Sequence, residues 1–240
     1  MVTQRENTSP QVYARVAGAS YITTIVLGVF GVNIVETRLL VAGNHAETVE
    51  NILANDWLFR LGIASEILMY LLVILLSWAL YLLLKPVNGN LALLALLWRA
   101  GEAIIGSGTT VISGLIPLLM LKAKTQFEVA ELNALVGLFL DVRGAGLDFV
   151  LLFIGAGGTI FCYLLIKSKF VPRLLAYWGV VTYVSMFIIS LVSILIADFP
   201  ETLKMALFAP GGAFELIIGF WLLIKGINIS QWNHYRAEPT

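Results

Sequence analysis

The sequence predicts an all-α fold, a polytopic transmembrane helix bundle of about six spans with both termini on the cytoplasmic side. Three observations carry that reading. Hydrophobic residues make up 59% of the 240 residues and charged residues only 12%, against about 45–50% and about 25% in soluble domains. The apolar residues fall in blocks long enough to cross a hydrocarbon core of about 30 Å. The basic residues gather unevenly on the two sides of those blocks. Mean hydropathy is +0.90, so there is too little charge to cover a water-facing surface, and the lipid bilayer is the expected surrounding partner.

The first block, residues 12–35, follows Pro10 and has Arg15 near its cytoplasmic end; Gly18, Gly28 and Gly31 suit close helix contact. It is too long for a signal-peptide core and no small-residue cleavage site follows, so it reads as a retained span. In the polar stretch after it, Asn44 followed by Glu47 has the form of a helix cap, and Val49, Ile52 and Leu53 recur at helical spacing. An amphipathic interfacial helix is expected near residues 45–55. Asp56 is expected to cap span two, residues 61–84, with Trp57 in the headgroup belt. The run Lys85-Pro86-Val87-Asn88-Gly89-Asn90 is a turn, and span three covers residues 91–121.

Thr125-Gln126-Phe127-Glu128 has the form of a second capping box, and Asp141-Val142-Arg143-Gly144-Ala145-Gly146 interrupts the apolar run after it. Residues 126–141 therefore read as a separate interfacial or re-entrant helix and 147–166 as span four. One helix over both would far exceed the apolar core even if tilted. Pro172 opens span five, to about residue 197. The run Asp198-Phe199-Pro200-Glu201 starts a further helical segment, which Ala209-Pro210-Gly211-Gly212 is expected to break, leaving 211–227 as span six. The organisation is then a tail over 1–11, one membrane domain over 12–227 and a tail over 228–240.

With the N-terminus inside, Arg5, Arg15, Lys85, Lys167, Lys169, Arg173, Lys225 and Arg236 lie on the cytoplasmic side, and Arg38, Arg60, Lys122, Lys124 and Lys204 outside. That bias favours N-in and C-in.

Three stretches resemble the DUF4386 family. They are Asn51-Ile52-Leu53-Ala54-Asn55-Asp56-Trp57-Leu58-Phe59-Arg60-Leu61-Gly62-Ile63, the turn Tyr81-Leu82-Leu83-Leu84-Lys85-Pro86-Val87-Asn88, and the close Trp221-Leu222-Leu223-Ile224-Lys225-Gly226. The resemblance covers about residues 12–227. It implies a multi-pass protein of a bacterial or archaeal cell membrane and brings no activity with it.

An ionised side chain at the centre of a span costs about 2.5–3.5 kcal/mol on insertion scales, so such groups are the best functional pointers. Glu66, Glu102, Asp148, Glu215 and Arg99 qualify, as candidates for binding a ligand or a proton. At about 1.5 Å rise per residue, Glu66 lies about 8 Å below the outer end of span two and Glu102 about 18 Å from the cytoplasmic end of span three. Asp148 and Glu215 lie within about 5–6 Å of the outer starts of their spans. Arg99 and Glu102 are three apart on one helix face and within pairing reach. Arg38, Arg60 and Arg143 are candidates for the outer rim. Together they outline an acidic pocket in the outer half of the bundle. The competing reading is structural: Glu66, Asp148 and Glu215 each stand near a helix start, where a carboxylate suits the helix dipole and free N–H groups.

Other features carry less. The zero net formal charge argues against nucleic acid as a partner. The single cysteine, Cys162, lies in an apolar run and reads as a small buried hydrophobe. His45 and His234 have no second metal ligand at a recognisable spacing, so no metal and no cofactor is expected. Gly106-Ser107-Gly108 and Gly155-Ala156-Gly157-Gly158 suit helix packing better than phosphate binding. Ser107 and Ser113 lack a nearby base, which disfavours a serine hydrolase. Trp57, Tyr177, Trp178 and Trp232 suit interface belts.

Three functions fit: binding or transport of a small cationic or amphiphilic molecule, a non-catalytic accessory or assembly protein, and an acid–base enzyme acting on lipid through Glu102 and Glu66. Lack of an intramembrane histidine disfavours the enzyme. Self-association is compatible with all three. Convergence of the acids on one cavity would favour the first function, and separate local pairing the second.

Overall fold

The structure, a computed structural model, describes residues 9–122, 128–196 and 199–237. Six helices long and apolar enough to cross a membrane account for most of it: α1 (Pro10–Leu39), α3 (Asp56–Leu84), α4 (Gly89–Lys122), α5 (Val129–Ser168), α6 (Arg173–Leu195) and α7 (Glu201–Ile224). Two shorter helices complete the set, α2 (His45–Ala54) and α8 (Ile229–Ala237). The chain is a multi-pass α-helical membrane protein.

Each span packs against its neighbour in sequence, and α7 returns to α1, so the six close into a ring in chain order. Glycines set the closest seams. A Cβ on Gly18 would lie 2.6 Å from the carbonyl oxygen of Gly219, and one on Gly155 would lie 2.7 Å from the amide nitrogen of Phe187. Only glycine lets α1 meet α7, and α5 meet α6, at that separation.

One end of the bundle gathers the start of α1, the α3–α4 turn, the α5–α6 turn and α8. It is called the terminal end below. Asn88 Oδ1 accepts from the Leu91 amide to cap α4. Lys169, in left-handed backbone at φ 56°, ends α5. Three hydrogen bonds tie this end together: the Gln11 side chain bonds the backbone of Ile227, the Asn228 amide donates to Phe170, and the Tyr235 hydroxyl donates to the Lys167 carbonyl. Trp232 is 8% exposed in the core rather than in an interface belt, because α8 folds it against the bundle. Trp57 and Tyr177 are exposed, as belt residues should be.

The opposite end holds α2. Asn44 caps it by accepting from the Glu47 amide and donating to the Glu47 carboxylate. Its buried face, with Val49 and Ile52, joins Leu39, Phe59, Val136 and Leu140 in a second small core. This core explains the first correction. Residues 129–168 form one helix, about 60 Å long, not an interfacial helix followed by a span. Its first turns are held by α2, with Gly137 seated on the His45 ring. The run 141–146 does not break the helix because tertiary partners use it: Arg143 meets acids from two other helices, and Gly146 packs on Thr109. The capping box at residues 125–128 falls largely outside the described residues.

The second correction is in α7, which runs unbroken through Pro210. Proline forfeits one backbone hydrogen bond, a loss that packed membrane helices tolerate, and Gly211 lies against Met186 of α6. There is no discontinuous span here.

Candidate functional site

Among the described residues, the ion-paired side chains inside the bundle form three centres. The outer centre lies near the opposite end. Arg143 of α5 sits between two carboxylates: its Nε is 2.5 Å from Glu36 Oε1, and its Nη2 pairs with Glu66 Oε1. Thr110 donates to the other Glu66 oxygen at 2.8 Å. Arg143 also reaches the Ser113 hydroxyl at 3.5 Å. Four spans meet here, and two of them change winding to do so. Residues 30–36 of α1 and 111–115 of α4 are π-helical, which re-aims Glu36 and Ser113 toward the arginine. Such π segments recur at functional sites.

The central centre lies deeper. Arg99 Nη1 and Glu102 Oε2 meet at 2.8 Å, and both residues are almost fully buried. Gly157 makes room for the Arg99 stem and Gly158 for the Tyr183 ring, so the α5 glycines serve packing and admit polar groups at once. Tyr183 donates to Glu215 at 2.8 Å, and its hydroxyl is 3.4 Å from that of Tyr21. This joins α6, α7 and α1, and Glu215 lies within electrostatic reach of Arg99.

The third centre pairs Asp148 of α5 with Lys204 of α7 at 2.8 Å, and Ser193 of α6 donates to the second Asp148 oxygen at 3.0 Å. Both ionised residues are buried, at 8% and 4% exposure.

These centres are apart. Glu66 bonds Thr110, which lies two helical turns from Glu102 along α4, about 12 Å. Asp148 lies about 14 Å along α5 from Gly157, the residue that touches Arg99. Tyr70 stands between the outer and central centres, with its ring against Gly106 and within electrostatic reach of both Glu36 and Glu102. The void beside Glu36, Glu66 and Arg143 measures about 10 Å³, room for one water at most.

Of the sequence candidates, Arg99 and Glu102 pair with each other, Arg143 and Glu66 pair at the outer centre, Glu215 joins the central one, and Asp148 stands apart. Arg60 is exposed and pairs with Asp56 at 3.2 Å, with Lys122 on the same carboxylate. Arg38 is exposed. Sequence reasoning missed Glu36, Lys204, Tyr21, Tyr70 and Tyr183. Glu36 and Lys204 lie in stretches read as outside the spans, and the tyrosines have neither a charge nor a motif to single them out. Cys162 is buried as expected.

Residues 16–226 match the family DUF4386, described as a domain of unknown function. The chain belongs to that family. No curated protein and no solved structure matches it.

Proposed function

We propose that this DUF4386 protein is a non-catalytic accessory protein of the cell membrane, N-in and C-in, whose intramembrane charges select helix order rather than hold a substrate. The observation that carries this reading is local pairing. Glu66, Glu102 and Asp148 each meet a base, and Glu215 meets a tyrosine, in three centres, the outer and central ones about 12 Å apart along α4 and the central and third about 14 Å apart along α5. Buried polar groups that are satisfied in only one arrangement discriminate against wrong packings. The orientation rests on charge. The terminal end exposes Arg15, Lys85, Lys167, Lys169, Arg173, Lys225 and Arg236 and has no acid among the described residues.

The test is flux through the purified protein in sealed vesicles under imposed proton or cation gradients. The accessory reading expects no flux above that of empty vesicles. Flux that Glu102→Gln abolishes while the protein remains folded would overturn it.

One observation favours a second reading, proton or cation exchange. Glu36, Glu66, Tyr70, Glu102 and Glu215 form a polar file from the opposite end to mid-bundle, beyond which the core is apolar. In both arginine centres carboxylates outnumber arginines two to one. The same flux experiment decides between the two.

A further inference from the structure

A further cavity lies away from all three centres, on the outer face between α6 and α7. It is a groove of about 620 Å³, within the size range of single-ligand clefts. Leu174, Tyr177, Trp178, Val181, Ile217 and Trp221 line it, and its walls are almost wholly apolar. It begins at the first turn of α6 and the last turn of α7, so its mouth opens at the terminal end.

That mouth is basic. Arg173 opens α6, Lys225 follows Trp221 by one helical turn, and Lys169 ends α5 in the same turn region. All three are exposed and none makes an ion pair among the described residues. Pro172, at the N-cap of α6, supplies no side-chain acceptor to the first amides of that helix, which leaves N–H groups free to face an anion. No acid on this end competes for the site among the described residues.

We propose that this groove is a binding site for an anionic phospholipid. One acyl chain lies along Trp178, Val181 and Ile217, and the phosphate sits among Lys169, Arg173 and Lys225. An apolar slot alone would take any lipid. The unpartnered bases at its mouth select the negative headgroup, as basic clusters at a membrane boundary do. The tyrosine and tryptophans at headgroup depth fix the height of the chain.

The experiment uses the full-length protein in bilayers of phosphatidylcholine with increasing fractions of brominated phosphatidylglycerol or brominated phosphatidylcholine. Quenching of tryptophan fluorescence reports occupancy. The expected result is a preference for phosphatidylglycerol that falls about fivefold for each base removed in Arg173→Gln and Lys225→Gln. Val181→Phe, which narrows the groove, adds no tryptophan and keeps the charges, should reduce quenching by both lipids at this site. Equal quenching by the two lipids in the unaltered protein would overturn the proposal. So would a preference that survives removal of all three bases, or one that millimolar inorganic phosphate abolishes, since the site would then bind a free anion. Circular dichroism of each variant separates these outcomes from misfolding. If the triple variant does not fold, the two single variants decide, and an undiminished preference in both overturns the proposal.

Discussion

The two arginine centres use the same ingredients, one guanidinium and two carboxyls, at different depths. Arg143 touches both of its acids and keeps 19% of its side-chain surface exposed. Arg99 touches one acid directly, is 6% exposed and leaves the second acid to a tyrosine hydroxyl. At the rim the charges are less completely buried, so one arginine suffices for two acids. In the middle of the bundle, each polar group needs a protein partner. The tyrosine pair Tyr21 and Tyr183, drawn from two other helices, supplies the partner that the deeper acid Glu215 needs. Depth thus decides the partner chemistry, and the glycines of α5 make the space that the deep solution needs.

That comparison ranks the effects of substitution. The largest loss is expected for Arg99→Gln, which strands Glu102 in the core: about 3–5 kcal/mol of unfolding free energy, read by denaturant titration in detergent micelles. Replacing both Arg99 and Glu102 with methionine should recover most of that loss, because removing a whole buried pair is far cheaper than halving it. Arg143→Gln should cost less, about 1–3 kcal/mol, since Arg143 and Glu36 keep 19% and 23% of their side-chain surface exposed and Glu66 retains Thr110 as a donor; an effect as large as that of Arg99→Gln would contradict the depth argument. Tyr183→Phe removes a hydrogen bond to a charged-type acceptor and should cost about 1.5–3 kcal/mol. Arg60→Gln, at an exposed pair, should leave stability unchanged within error.

Much of this was legible in the residues. Helix-length apolar runs marked all six spans, Asn44 announced the start of α2 through capping that is local chemistry, and the run 85–90 marked the turn before α4. The pairing of Arg99 with Glu102 followed from their spacing on one helix face. What local patterns hid was tertiary. The run 141–146 looks like a break because its charge and glycines suit a loop; it stays helical because Glu36, Glu66 and Thr109 lie opposite it. Pro210 looks like a stop, and packing against α6 overrides it. Lys204, the partner of Asp148, sits 56 residues further along the sequence, and no spacing rule links the two. The ring order of the helices is equally invisible to hydropathy, because an apolar face does not say which neighbour it meets.

The central claim is that the intramembrane acids belong to separate local centres and not to one binding cavity. A double-mutant cycle between Glu66→Gln and Glu102→Gln tests this most directly, with unfolding free energy as the readout. Sites more than about 7–10 Å apart add to within about 0.3–0.5 kcal/mol. The account predicts additivity within that margin. A coupling above about 1 kcal/mol would mean that the two carboxyls share one site, and would contradict it.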